Sequence, residues 1–209
     1  VLVTGVQTCA LPISVIERER VLGEEHLDTL AGVSQLGSVL ERQGKYKEAE
    51  AMQRRALEGY EKIVGVEHLD TLNSISKLGS VLHGQGKYKE AEAMLRRAIK
   101  GYEKTVGEEH LDTLNSINQL GSVLESQGKY KEAEAMQRRA LEGYKKVSGE
   151  EHPDTLAGVS LLGSVLERQG KYKEAEAMQR KALEGYEKVV GVENLQTLAI
   201  IGQLGSVLQ

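Results

Sequence analysis

Apolar residues recur along this chain at helical spacing. Leu30, Val33, Leu36, Gly37 and Leu40 stand at i, i+3, i+6, i+7 and i+10, which is one face of a helix. Tyr46, Ala49, Met52, Ala56, Leu57, Tyr60 and Ile63 form a second stripe of the same kind. Gly44 and Gly65 follow the two stripes, in the position favoured after a helix end. Asp28 stands where its carboxylate can cap a helix beginning at Thr29, by accepting from the first free backbone amides. The pattern predicts two antiparallel helices, roughly 28–43 and 46–64, joined by a tight Gly-Lys turn. The linker Val66–Leu69 then leads to the next cap, Asp70.

The pair repeats every 42 residues. Gly23, Gly65, Gly107, Gly149 and Gly191 form one column, and Gly37, Gly79, Gly121, Gly163 and Gly205 a second. All eight tyrosines fall into the columns Tyr46/88/130/172 and Tyr60/102/144/186. Residues 23–64 and 149–190 differ at four positions: Leu27/Pro153, Gln35/Leu161, Arg55/Lys181 and Ile63/Val189. A fixed period of this size marks a repeat array. Runs with period 2 are lacking, so a propeller or leucine-rich repeat fits poorly.

The expected organisation is four full repeats, 23–64, 65–106, 107–148 and 149–190, with residues 14–22 ending a truncated repeat and 191–209 beginning another. Residues 1–13 should then read like QGKYKEAEAMQRR, but they read VLVTGVQTCALPI. They lack the basic start of a signal peptide, and Pro12 would interrupt the expected helix, so they read as a foreign or non-native segment. Neither end carries the polar cap that terminal repeats need, so the natural protein is expected to be longer in both directions.

Small residues on the stripes explain close packing. Gly37, Ala49 and Ala56 let two helix backbones approach. A helix-interior glycine costs about 1 kcal/mol relative to alanine, which close contact offsets at Gly37. Gly59 has no such explanation from sequence and reads as a soft point in the second helix.

Composition removes several function classes. Net charge is −4, leaving no bulk basic charge to attract nucleic acid or an anionic membrane. No run approaches the ~20 apolar residues of a membrane-spanning helix. The single cysteine, Cys9, permits neither an internal disulfide nor a cysteine-rich zinc site, which fits a cytoplasmic location.

Leu36-Gly37, Leu40, Gly44-x-Tyr46, Ala49 and Ala56 resemble the tetratricopeptide repeat signature. The unit with Gly-x-Glu-His-x-Asp-Thr-Leu and Gly-Lys-Tyr-x-Glu-Ala-Glu resembles the kinesin-light-chain type of that repeat. Near-identical tandem copies are also similar to the C-terminal arrays of NLR-like signalling NTPases. The resemblance covers residues 14–209. It implies an all-α, right-handed superhelical solenoid of antiparallel helix pairs. It also implies that the first helix of each pair lines a concave groove.

Chemistry is sparse. His26, His68, His110 and His152 form a column, but copies stand a whole repeat apart and the fifth is Asn194, so they read as loop histidines near a helix start. No HExxH, GxxxxGK[ST], GxGxxG or GxSxG motif occurs. No enzyme activity, cofactor or metal is expected. Glu50–Arg54 and Glu58–Lys62 are i,i+4 pairs on the second helix, opposite its apolar stripe, and read as a solvated outer face.

The first helix varies between copies, whereas Lys45–Met52 recurs unchanged in all four; some outer sites also change, Glu58 to Lys100 and Glu61 to Lys145, so surface drift is the competing reading of this variation. The candidate groove residues are Ala31, Ser34, Gln35, Ser38, Glu41 and Arg42 in repeat 1 and Asn73, Ser76, Lys77, Ser80 and His83 in repeat 2. They continue as Asn115, Asn118, Gln119, Ser122 and Glu125, then Ser160, Leu161, Ser164, Glu167 and Arg168. Arg42, Lys77, His83, Leu161 and Arg168 are the side chains expected to matter most. Family members that grip a terminal carboxylate use groove Lys and Asn, whereas Ser34, Ser38, Ser76 and Ser80 stand at those places here, so that clamp is not expected. The leading expectation is a scaffold binding a protein or peptide in this groove, with no nucleic acid or membrane partner. The alternative is a sensor or oligomerisation arm of a larger signalling NTPase.

Overall fold

The periodic stripes become helices in the structure, a computed structural model that describes residues 15–207. The expectations for residues 1–14 and for Cys9 lie outside the described residues. A helix spanning 15–22, α1, precedes α2 (Leu27–Arg42), α3 (Tyr46–Ile63), α4 (Leu69–Gly84), α5 (Tyr88–Thr105) and α6 (Leu111–Ser126). Helices α7 (Tyr130–Ser148), α8 (Pro153–Arg168), α9 (Tyr172–Val190) and α10 (Leu195–Val207) follow. No strand occurs among the described residues.

The chain divides into two compact units, Val1–Thr105 and Val106–Gln209. In the first, α2 packs on α3, α3 on α4 and α4 on α5. Leu30, near the start of α2, faces Gly59, near the end of α3, while Gly37 faces Gln53 at mid-helix, so the two helices run antiparallel. The core is Leu30, Val33, Ala49, Ala56 and Tyr60, then Leu72, Ile75, Leu78, Val81, Leu82, Ala91, Leu95, Ala98 and Tyr102. In the second unit α6 packs on α7, α7 on α8, α8 on α9 and α9 on α10, with Leu156, Val159, Leu162, Leu166, Ala175, Ala182 and Tyr186 at the centre.

The turn within each pair follows from Gly44. At φ +74° it occupies the left-handed region, where a Cβ would clash with the backbone. Its amide donates to Glu41 O (2.9 Å) and Lys45 N donates to Leu40 O (2.9 Å), a Schellman stop that satisfies two end carbonyls of α2.

The helix start differs from expectation. Helix α2 begins at Leu27, and its N-cap is His26 rather than Asp28: the imidazole Nδ1 accepts from Asp28 N at 3.2 Å. His68, His110 and His152 do the same, and at the fifth copy Asn194 Oδ1 accepts from Gln196 N at 2.9 Å. Asp28 sits in the first turn instead, where a negative charge complements the helix dipole. Behind the cap, buried Thr71 Oγ1 donates to Gly65 O at 2.7 Å, and Thr113, Thr155 and Thr197 repeat the bond. The histidine-containing motif is therefore a helix-entry device: a positive-φ glycine, a capping imidazole, a first-turn acid, a tethering threonine and a core leucine.

Three core expectations change. Ile63 is 42% exposed rather than on the buried stripe, because the apolar face has turned away by the last residue of α3. Gln53, a polar residue, is fully buried on that stripe; its Nε2 donates to Ser34 O at 2.9 Å. Gln137 and Gln179 occupy the same place in their pairs, whereas α5 has Leu95. Gly59 is not a soft point: a Cβ there would stand 2.5 Å from Leu30 Cδ2. Gly101, Gly143 and Gly185 seat Leu72, Leu114 and Leu156 likewise, so this column admits the first core leucine of each pair.

Candidate functional site

The first helices of each unit lie side by side, and the variable residues decorate their shared face. In the first unit Lys77 Nζ of α4 donates to Ser34 Oγ of α2 (3.1 Å), and Ser80 Oγ donates to Glu41 Oε1 (2.5 Å). His83 packs its ring on Tyr88 with centroids 5.7 Å apart. Gln35, Arg42 and Asn73 are exposed; Ala31, Ser38, Glu41, Lys77, Ser80 and His83 are half-buried. In the second unit Arg168 Nε stands 3.9 Å from Glu125 Oε1. Asn115 and Arg168 are exposed; Asn118, Gln119, Ser122, Glu125, Leu161, Ser164 and Glu167 are half-buried. Asn115 Oδ1 accepts from Tyr144 OH (2.5 Å), so this asparagine also braces the second helix of its own pair.

Ser34, Ser76 and Ser160 are buried. Ser34 Oγ donates to Gln53 Oε1 (3.3 Å) and Ser160 Oγ to Gln179 Oε1 (3.2 Å), so these hydroxyls bond within the stack. Their neighbours one and four positions on are half-buried or exposed.

Electrostatics separates the two faces. On the first-helix face, burial pushes the Lys77 ammonium below its ordinary range, against the opposing pull of Glu41 and Asp70. Burial lowers His83 and raises Glu125, the latter against Arg168. Lys77 and Glu125 have given up water, which strengthens their interaction with any charge brought to them. On the second-helix face the charges are compensated. Arg54 reaches both Glu50 (2.8 Å) and Glu90 (3.4 Å), Arg97 reaches Glu61 (2.5 Å), and Lys104 pairs with Glu67. The pairing on this face thus runs between helices as well as along them.

Between α3 and α4, Glu50 is gripped at a seam. Gln85 Nε2 donates to Glu50 Oε2 (2.8 Å) and to Tyr46 O (2.9 Å), and Lys87 Nζ donates to the same carboxylate at 2.8 Å. Lys87 above all, with Gln85 and Arg54, holds Glu50 down at about 2. Gln169 and Lys171 grip Glu134 the same way, and it too lies at about 2.

Among the described residues no group of three or more His, Cys, Asp or Glu could hold a metal, and no helix is long and apolar enough to cross a membrane.

Helix pairs with these small-residue contacts, stacked on the same period, define a helical repeat protein. The tetratricopeptide repeat family pattern matches residues 16–62, 28–104, 70–146, 110–188 and 154–209, and the chain belongs to that family. Among solved structures it is similar to BtubC (BKLC) from P. vanneervenii, at 19% identity and TM-score 0.82, covering 99% of this chain and 84% of that one. It is also similar to the nearly identical TPR-like repeats assigned to a kinesin light chain of Podosopora anserina, at 23% identity and TM-score 0.75, covering 88% and 87%. The apo form of RapI follows at 16% identity and TM-score 0.73, covering 96% and 75%. No curated protein sequence matches. Tetratricopeptide repeat proteins bind protein or peptide partners.

Proposed function

We propose that this chain is a non-enzymatic scaffold that holds an extended peptide or protein segment on the face of its first helices. One observation carries the reading. The copies keep Lys45–Met52 constant while positions 31, 35, 41 and 42 change, and the changing positions stand half-buried or exposed on the first-helix face. Partly desolvated Lys77 and Glu125 on that face support it, since such charges discriminate between charged partners. Apolar anchors are few, with Leu161 the main one, so affinity rests on polar contacts and length of engagement.

The test is selection of binders from a random peptide library, followed by affinity measurement on variants. Arg42→Glu and Lys77→Glu are expected to weaken a peptide selected on the first unit about fivefold each, and Lys47→Glu and Lys89→Glu on its second-helix face to leave it unchanged. The reverse pattern rejects the first-helix face.

A further inference from the structure

The first unit supplies its first-helix face with a cation of its own, and the second unit does not. Lys77 Nζ of α4 donates to Ser34 Oγ (3.1 Å), Ser34 Oγ donates inward to Gln53 Oε1 (3.3 Å), and Glu41 is the countercharge that Lys77 feels most. Two repeats on, Asn118, Glu125, Gln137 and Leu161 stand at the places of Ser34, Glu41, Gln53 and Lys77. The acceptors are kept and the donors are gone. Gln137 is fully buried, and its Oε1 has no partner among the described residues, whereas the same atom of Gln53 and Gln179 accepts from a serine in the column of Asn118. Asn118 Oδ1 is closed off and unpartnered as well. Half-buried Glu125 has one cation near it among the described residues, Arg168 Nε at 3.9 Å on a 67% exposed side chain. Ser164 does not give it the bond that Ser80 gives Glu41. Leu161 repeats the apolar stem of Lys77 and stops short of an ammonium.

Granted a peptide on the first-helix face, we propose that this place between α6 and α8 receives a lysine of the bound segment, its stem on Leu161 and its ammonium between Asn118 and Glu125. A half-turn of the Asn118 amide lets Nδ2 donate to Gln137 Oε1 and turns Oδ1 outward to accept from the ammonium. Asn118 then does what Ser34 does in the first unit, donating inward and accepting on its outer side. The ammonium carries three donors and no acceptor, which suits two oxygens and a carboxylate that lack donors. Burial raises Glu125, and a cation beside it opposes that shift. An acidic side chain at the same place would be repelled by Glu125, so the site selects by charge.

The probe is a lysine-containing peptide selected on the whole chain from a random library, with selection repeated on the Leu161→Lys chain, which refills the place from within. Lysine should be enriched on the parent and lose that enrichment on Leu161→Lys. One selected peptide is then synthesised with its lysine, with Nε-acetyl-lysine and with norleucine, and read by fluorescence anisotropy. On the parent, acetylation and norleucine should each weaken binding about tenfold, with no change to the protein. Glu125→Gln should cost the lysine peptide about tenfold and leave the norleucine peptide unchanged; circular dichroism checks the fold of both variant chains. Absent lysine enrichment, enrichment that survives on Leu161→Lys, or equal affinity of the acetylated peptide overturns the lysine site. In each of those cases binding that still responds to Arg42→Glu and Lys77→Glu leaves the first-helix reading standing. Binders indifferent to every first-helix variant, or no binder at all, remove both.

Discussion

Leu30 Cδ2 lies where a Cβ on Gly59 would come within 2.5 Å, so the first core leucine of each pair sits in a notch left by the missing side chain. The glycine costs α3 about 1 kcal/mol of helix propensity, and the seated leucine offsets it through burial worth roughly 1.5–3 kcal/mol.

Two glycines of the second unit should therefore respond oppositely. Gly143→Leu overfills the notch that holds Leu114 and should destabilise by about 1–3 kcal/mol. Gly158→Ala meets only ordinary contacts, the nearest Leu141 Cδ1 at 3.5 Å, and its column already carries Ser74 and Ser116. It should gain up to about 1 kcal/mol. Thermal melts of the two variants decide it: a lowered Tm for Gly158→Ala removes the distinction.

Gln53 should tolerate leucine better than alanine. Leu95 fills the same place in α5 without exposure, so Gln53→Leu keeps the volume and loses only the bonds to Ser34, at about 1–2 kcal/mol. Gln53→Ala leaves a void and strands Ser34, and should cost about 2–4 kcal/mol. Urea denaturation measures both. Equal losses would mean that the hydrogen bond, and not the volume, is what matters.

The capping histidines should be replaceable by asparagine and not by alanine. His152→Asn reproduces the acceptor that Asn194 supplies in the fifth copy and should leave the Tm within a degree or two. His152→Ala removes it and should cost about 0.5–2 kcal/mol. Hydrogen exchange at Asp154 N, the amide the imidazole holds, should accelerate in the alanine variant alone.

Acid should loosen the seams. Glu50 and Glu134 are held at about 2 in the fold against an ordinary 4.5, so their contribution is fully present above pH 4.5. It is lost as pH falls through about 2. A Glu50→Gln, Glu134→Gln double variant should show a flatter fall in Tm over that window. A fall as steep as in the parent would place the acid sensitivity elsewhere.

The helices were legible because one apolar stripe can be satisfied only by a period near 3.6, and the Gly44 and Gly65 stops fall just past both stripes. The cap was misread because imidazole is not among the usual capping groups; Asn194 in the histidine column was the clue. Gln53 breaks the apolar stripe with a polar side chain, and only Leu95 in its column marks the position as interior. For the first-helix face, periodicity identified the side of the helix but not depth. Ser34 and Gln35 are adjacent, yet one hydroxyl is buried against Gln53 while its neighbour stands in water. Only the approach of α3 decides between them.

Near-identical units face a hazard during synthesis, since a first helix can close on the wrong second helix at little cost. The glutamine-to-leucine exchange between α3 and α5 gives the fold a way to tell these partners apart. Closing α2 on α5 would strip the Ser34 carbonyl of the amide donor that Gln53 supplies, a loss that the α2–α3 pairing avoids.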